Sequence, residues 1–193
     1  MAEALVQVLS ELVELHHEID RAVETLETKH VSRLQCRRGC SACCLDDLSA
    51  TRLEAEHIRR NHSVLLESSA PHATGACAFL DAEGACRIYE SRPVICRSQG
   101  LPLRILFENE LQEIEEQRDI CSLNEAGGPP VESLEEEDCW LVGPHELRVQ
   151  RLDDQAFGED ALLGSAGGEV DDGSGRIPLR ALFVRDCGRS EEQ

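Results

Sequence analysis

The chain has 193 residues, with 38 acidic and 19 basic side chains and a formal net charge of −19. This length fits one domain of ordinary size, and the negative charge argues against nucleic acid and anionic membrane surfaces as partners. No uninterrupted apolar run reaches the roughly 18 residues that a membrane-spanning helix needs, so we expect no membrane partner.

How the ten cysteines are interpreted depends on the cellular compartment in which the protein lies. The first residues, Met1 to Ala4, lack a basic region, and Glu11 and Glu14 interrupt the apolar stretch that a secretory signal needs. We therefore expect a cytoplasmic protein, whose thiols are kept reduced. There, ten cysteines favour metal ligation or redox chemistry over a disulfide scaffold.

Charge is distributed unevenly along the chain. Residues 33–104 hold 10 Arg and 8 acidic residues, whereas the rest holds 9 basic and 30 acidic residues. The former segment also carries seven of the ten cysteines. Since metal-bound thiolates bring negative charge, nearby guanidinium groups would offset it.

Residues 3–30 are predicted to form an amphipathic helix, because apolar side chains recur every three or four residues. They are Leu5, Val8, Leu9, Leu12, Leu15, Ile19, Val23 and Leu26. One face should pack on the core or on a partner chain, which leaves a protein partner or a homodimer open. We interpret His16 and His17 as solvated or half-buried side chains rather than metal ligands.

Four thiols then fall within nine residues, at Cys36, Cys40, Cys43 and Cys44. After them a second helix is predicted to begin near Ser49 or Thr51, because Thr51 and Glu54 have the spacing of a capping box.

Residues 76–89 are predicted to form a hairpin with a four-residue turn at 81–84. In that register Phe79 faces Cys86, and Cys77 lies on the same sheet face as Cys86. A short helix opens at residues 91–93 and places Cys96 about one turn in, where a helix N-terminus lowers a thiol pKa.

The remaining elements have weaker patterns. Segments 103–107 and 111–114 are predicted to form a second hairpin around Asn109, followed by Cys121. Residues 125–138 are expected to be a mobile acidic linker or surface loop, 145–163 a helix, 164–175 a Gly-rich loop and 177–185 a final element. The fold predicted is a small α+β single domain, with helices around the cysteine-rich loop and a short antiparallel hairpin. Its parts are an N-terminal helix (1–32), a cysteine-cluster metal-binding domain (33–124) and an acidic loop with a helical extension packing on it (125–193).

Eight cysteines are the candidate metal ligands, and Cys139 and Cys187 are interpreted as non-ligating thiols. The eight are Cys36, Cys40, Cys43, Cys44, Cys77, Cys86, Cys96 and Cys121. One 4Fe–4S cluster, one or two zinc ions, or a cluster with spare thiols all fit this number. The C-x3-C-x2-C spacing resembles the cluster loop of radical S-adenosylmethionine enzymes. The arginines expected to donate hydrogen bonds to sulfur are Arg37, Arg38, Arg92 and Arg97.

The arrangement Cys36-x3-Cys40-x2-Cys43-Cys44, Glu54-Ala55, Cys77-x-Phe79-Leu80, Gly84-x-Cys86-x-Ile88-Tyr89 and Arg92-Pro93-x-x-Cys96-Arg97 resembles the YkgJ-like cysteine-cluster family of zinc- or iron-chelating domains. The resemblance covers about residues 33–124 and implies that the seven cysteines up to Cys96 are metal-associated, with Cys121 as an eighth. The cofactor that we slightly prefer is iron, as an iron–sulfur cluster, with zinc as the alternative. One relative, the flagellin lysine methylase, suggests S-adenosylmethionine-linked methyl transfer as an alternative function, and a thiol-redox protein is another. Whether the chain is an enzyme stays open.

Overall fold

The computed structural model describes residues 2–158 and 175–183, which form helices and short strands. The helices are α1 (Ala2–Lys29), α2 (Arg52–Asn61), α3 (Ser63–Ser68), α4 (Val94–Arg97) and α5 (Pro144–Phe157). The strands are β1 (Ser49–Ala50), β2 (Leu103–Glu108), β3 (Ile114–Asp119), β4 (Trp140–Val142) and β5 (Ile177–Pro178). This confirms the α+β class.

Helix α1 is the longest element and has the amphipathic character that its periodicity predicts. Seven of the eight stripe residues are buried, and Leu5 is packed against them. The stripe meets Leu53 of α2, Val94 of α4 and Val149 of α5 in one apolar cluster. A second cluster contains Phe79, Ile88 and the turn at 179–182. Of the helices between residues 2 and 158, none is both long and apolar enough to cross a membrane.

Strand β2 lies between β3, with which it is antiparallel, and β4, with which it is parallel. The predicted hairpin around Asn109 is present, but its second strand begins at Ile114 and not at residue 111. The reason is that the Asn109 side-chain oxygen accepts hydrogen bonds from the N–H groups of Leu111 and Glu113, which holds these residues in the turn.

The hairpin at residues 76–89 is reduced to one antiparallel bridge, between Leu80 and Cys86. The predicted pairing of Phe79 with Cys86 is therefore wrong by one residue. The Asp81 carboxylate accepts hydrogen bonds from the N–H groups of Glu83 and Ala85, and the Asp81 N–H donates to the Ala85 carbonyl. This side chain closes a shorter loop than the four-residue turn assumed and shifts the register.

Helix α2 begins with the predicted capping box of Thr51 and Glu54. Its first turn is also held from α5, because the buried carboxylate of Asp153 accepts from the Leu53 N–H at 2.7 Å and from Arg52 Nε at 2.8 Å. Helix α5 ends at Phe157, before Gly158 with φ +80°. Its predicted extension over residues 159–163 lies outside the described residues.

The acidic segment 125–138 runs over the surface in short 3₁₀ turns. It covers the buried Arg33, whose Nη2 donates to the Pro129 carbonyl, and Lys29 pairs with Asp138 at 2.6 Å. The predicted Gly-rich loop lies outside the described residues up to residue 174. The final element consists of β5 and the turn at 179–182, and its part beyond residue 183 also lies outside them.

Candidate metal centre

The cysteine loop, residues 36–44, is a succession of tight turns packed against the turn of the 76–89 hairpin. The Cys40 N–H donates to the Arg37 carbonyl at 2.8 Å, and the Cys44 N–H donates to the Ser41 carbonyl at 2.9 Å. Gly39 has φ +86°, and a Cβ there would lie 3.1 Å from the Glu83 carbonyl oxygen. The close approach thus needs glycine at residue 39 for two reasons, conformation and space.

Cys44, Cys77 and Cys86 meet on the second apolar cluster. The Cys77 N–H donates to the Cys44 carbonyl at 2.9 Å, which joins the loop to the hairpin. The backbone N–H of Phe79 donates to the Cys77 thiol, and that of Ile88 donates to the Cys86 thiol. Such bonds stabilise the sulfur as a thiolate, which is the form that binds a metal.

Cys96 is the third residue of the short helix α4. The buried Glu54 carboxylate anchors this helix, because Oε1 accepts from the Val94 N–H at 2.7 Å while Oε2 accepts from the N–H and the hydroxyl of Thr51. Burial raises the pKa of the Cys96 thiol to about 12. The expectation that a helix N-terminus lowers this pKa is therefore wrong, since burial outweighs what a four-residue helix contributes.

The adjacent thiols of Cys43 and Cys44 are in contact. The Cys44 thiol donates a hydrogen bond to the Cys43 sulfur, which lowers the pKa of Cys43 to about 6 and raises the pKa of Cys44. Cys43 is therefore the thiol of this pair that more readily becomes a thiolate, the form that binds a metal.

Cys36 and Cys121 are joined through Asn124, a residue that the sequence did not indicate. Asn124 Nδ2 lies 3.4 Å from Cys36 Sγ, and the Asn124 N–H donates to the Cys121 carbonyl at 2.7 Å. Asn124 is fully buried. Gly100 backs the same thiol, because a Cβ there would lie 2.5 Å from Cys36 Sγ. No local pattern reveals either residue, because the contacts join segments far apart in the chain.

The four arginines expected beside sulfur divide into two pairs. Arg97 is buried and binds both oxygens of Asp20, at 2.8 and 2.7 Å, and the same carboxylate lies 3.4 Å from Arg92. The positive charge of Arg92 still lowers the pKa of the Cys86 thiol, against the larger effect of burial. Arg37 and Arg38 line an open hollow together with Cys40.

Two cysteines and two histidines were predicted not to bind metal. The Cys139 thiol accepts a hydrogen bond from Arg118 Nη1 at 3.0 Å. Cys187 lies outside the described residues. His16 is buried rather than solvated, and burial together with the charge of Arg97 lowers its pKa to about 2, whereas His17 is exposed.

Thiols are the right donors for zinc or iron, but in this structure the cysteines are free thiols. The nine cysteines of the described residues are unpaired. Within residues 2–158 and 175–183, no three His, Cys, Asp or Glu side chains are close enough to hold one metal ion. Metal binding therefore requires the thiols to lose their protons and rotate toward a common point.

The comparison with family models matches this part of the chain. Residues 35–122 match the CxxCxxCC family, described as "Putative zinc- or iron-chelating domain". The match spans just under half of the chain, so this segment is similar to that family, in agreement with the resemblance found in the sequence. The searches of curated proteins and of solved structures returned no match.

The CxxCxxCC segment contains all eight candidate cysteines. Its family description supports a metal ion as the ligand and leaves zinc and iron both open. In this chain three residues, Arg37, Arg38 and Gly39, separate the first two cysteines, where the family name has two. The extra residue forms part of the turn at Gly39 that packs on the hairpin.

Proposed function

We propose that the protein binds iron in the cytoplasm, as iron–sulfur, through cysteines of its eight-residue candidate set, with zinc as the alternative metal. The observation that supports this most is the convergence of separate chain segments on one loop. The Cys77 N–H binds the Cys44 carbonyl, and Asn124 joins Cys36 to Cys121. The thiol of Cys96 in α4 interacts electrostatically with that of Cys44. Gathering so many thiols has no evident use in packing, whereas thiolate is the preferred ligand of zinc and of iron–sulfur clusters.

The surroundings of the sulfurs support a bound cation. Burial raises the pKa of Cys77, Cys86 and Cys96, so these thiols are protonated at neutral pH without a metal. A metal must displace those protons, and its affinity should therefore increase with pH. The N–H groups aimed at Cys77 and Cys86 then stabilise the thiolates that form.

The preference for iron over zinc rests on the first loop. The C-x3-C-x2-C spacing resembles a cluster-binding loop, whereas zinc sites more often have two separated C-x2-C pairs. Hydrogen bonds to the sulfurs, as at Cys77 and Cys86, also tune the reduction potential of iron–sulfur clusters.

The test is anaerobic purification of the full chain, followed by measurement of iron, zinc and acid-labile sulfide per chain and by a visible spectrum. We expect iron with sulfide and a broad absorption from sulfur-to-iron charge transfer. Zinc without sulfide would select the alternative metal. Iron and zinc both near zero would refute metal binding, and the thiol-redox role would then be tested by counting paired cysteines by alkylation and mass measurement.

An enzymatic role has its own measurement. The methyl-transfer alternative requires that S-adenosylmethionine bind at an open iron of the cluster. Adding this compound to the cluster-loaded protein should then change its visible or paramagnetic-resonance spectrum. An unchanged spectrum would count against that alternative and leave metal binding intact.

A further inference from the structure

The eight cysteines fall into two sets of four, one gathered at the second apolar cluster and one gathered at the end of the loop that Asn124 holds. We call Cys44, Cys77, Cys86 and Cys96 the inner set, and Cys36, Cys40, Cys43 and Cys121 the outer set. Packing and hydrogen bonds place Cys44, Cys77, Cys86, Cys36 and Cys121 in their sets. Electrostatic interactions with these thiols place Cys96, Cys40 and Cys43.

The inner set is built on the second apolar cluster. Cys77 is buried within this cluster, and Cys44 and Cys86 pack against it. The hydrogen bond from the Cys77 N–H to the Cys44 carbonyl fixes the loop to the hairpin at this point. Cys96 completes the set, because its thiol interacts electrostatically with those of Cys77 and Cys86.

The outer set is held by Asn124 at the other end of the loop. The Asn124 side chain accepts from the Gln35 N–H at 2.7 Å and donates to Cys36 Sγ, while its own N–H binds the Cys121 carbonyl. One buried amide therefore holds residues 35–36 beside residue 121. The Cys36 thiol in turn interacts electrostatically with Cys40, Cys121 and Cys43.

Cys43 lies between the two sets. It contacts Cys44 and is within electrostatic range of both Cys36 and Cys96. We assign it to the outer set because the inner set already has four thiols without it. Four thiolates complete the coordination of a zinc ion or of a 4Fe–4S cluster.

We propose that the domain holds two metal centres, an inner one at Cys44, Cys77, Cys86 and Cys96, and an outer one at Cys36, Cys40, Cys43 and Cys121. This rests on the proposed function, because both centres require that the cysteines bind metal.

The two centres differ in access to solvent. Cys77 is 7% exposed, whereas Cys36 belongs to the exposed class and Cys40 lines an open hollow with Arg37 and Arg38. A chelator can therefore reach the Cys36 thiol directly, whereas it reaches the Cys77 thiol only after the hairpin opens; the other six thiols are partly exposed. The outer metal should therefore exchange first.

The first measurement is metal content in matched cysteine variants of the full chain. Cys86→Ser removes one inner ligand and Cys121→Ser one outer ligand, while Cys139→Ser is the control because that thiol pairs with Arg118. We expect each ligand variant to keep about half of the wild-type metal and the control to keep all of it. Complete loss in both ligand variants would show a single centre and overturn the proposal.

The second measurement does not depend on how the variants fold. Metal release from the wild-type protein is followed under a chelator, and the freed cysteines are alkylated at intervals and identified by mass spectrometry. We expect two phases, with Cys36, Cys40, Cys43 and Cys121 modified first. One phase with all eight modified together would refute two centres while leaving metal binding intact. A protein without metal would refute the proposed function itself.

Discussion

Gly100 gives the sharpest test of how the outer cysteines are held. Its φ of +95° is a conformation that costs a residue with a side chain about 1–2 kcal/mol. An added Cβ would lie 2.5 Å from Cys36 Sγ, where carbon and sulfur normally stay at roughly 3.5–4 Å. In Gly100→Ala the Cys36 thiol must therefore move by about 1 Å or more. Because it ends an exposed side chain, this displacement should cost only about 1 kcal/mol, the lower end of overpacking values.

A matched control separates these two costs. Gly75 has nearly the same φ, +99°, but nothing lies within 4 Å of its added Cβ. Gly75→Ala should lose only the conformational part, about 1–2 kcal/mol in urea unfolding. Gly100→Ala should lose about 2–3 kcal/mol in total and, beyond that, part of its bound metal. Equal metal content in the two variants would refute the view that Cys36 is held in place against Gly100.

Three further predictions concern buried polar side chains other than the cysteines, and each is checked by urea unfolding. Glu54→Gln should reduce the free energy of unfolding by about 1–3 kcal/mol, because the NH₂ group of the new amide would face at least one N–H or O–H that now donates to the buried carboxylate. Glu56→Gln should cost far less, because the carboxylate of Glu56 forms only an exposed ion pair. The pKa of His16 is lowered, so the unfolded chain binds its proton first and the protein should lose about 2 kcal/mol of stability between pH 7 and pH 5 from this residue. His16→Leu should reduce that pH dependence and the exposed His17→Leu should not, and an unchanged slope in His16→Leu would contradict burial of a neutral imidazole. Asp153→Ala removes the acceptor of the Leu53 N–H and the nearest carboxylate of Arg52, which keeps contacts to the Gly158 carbonyl and to Asp154. It should cost about 2–4 kcal/mol, and a loss below about 1 kcal/mol would contradict this.

What the sequence predicted well depends on neighbours in the chain. The apolar stripe of α1 and the Thr51–Glu54 capping box follow from residues three or four positions apart, and both are present. The register of the 76–89 hairpin failed by one residue because the Asp81 side chain, and not the strand pattern, decides where the turn closes.

What the sequence could not predict depends on residues brought together by folding. The high pKa of Cys96 results from burial beneath other elements, and its position in a helix said nothing about that burial. The contact of Asn124 with Cys36 spans 88 residues, and the approach of Gly100 to the same thiol depends on the fold as a whole. The family resemblance indicated which cysteines are candidate ligands, but only the fold indicates which of them lie near one another.

Residues 35–122, the family segment, depend on contacts with the rest of the chain. Arg97, one residue beyond Cys96, is buried with its charge paired to Asp20 of α1, and Cys36 is held by Asn124; both partners lie outside residues 35–122. The first turn of α2 is likewise held by Asp153 of α5. A fragment cut at the limits of the family segment would keep every proposed ligand, yet it would bury a guanidinium without its carboxylate. We therefore expect such a fragment to bind metal more weakly than the full chain, because residues outside the family segment help to hold the cysteines in place.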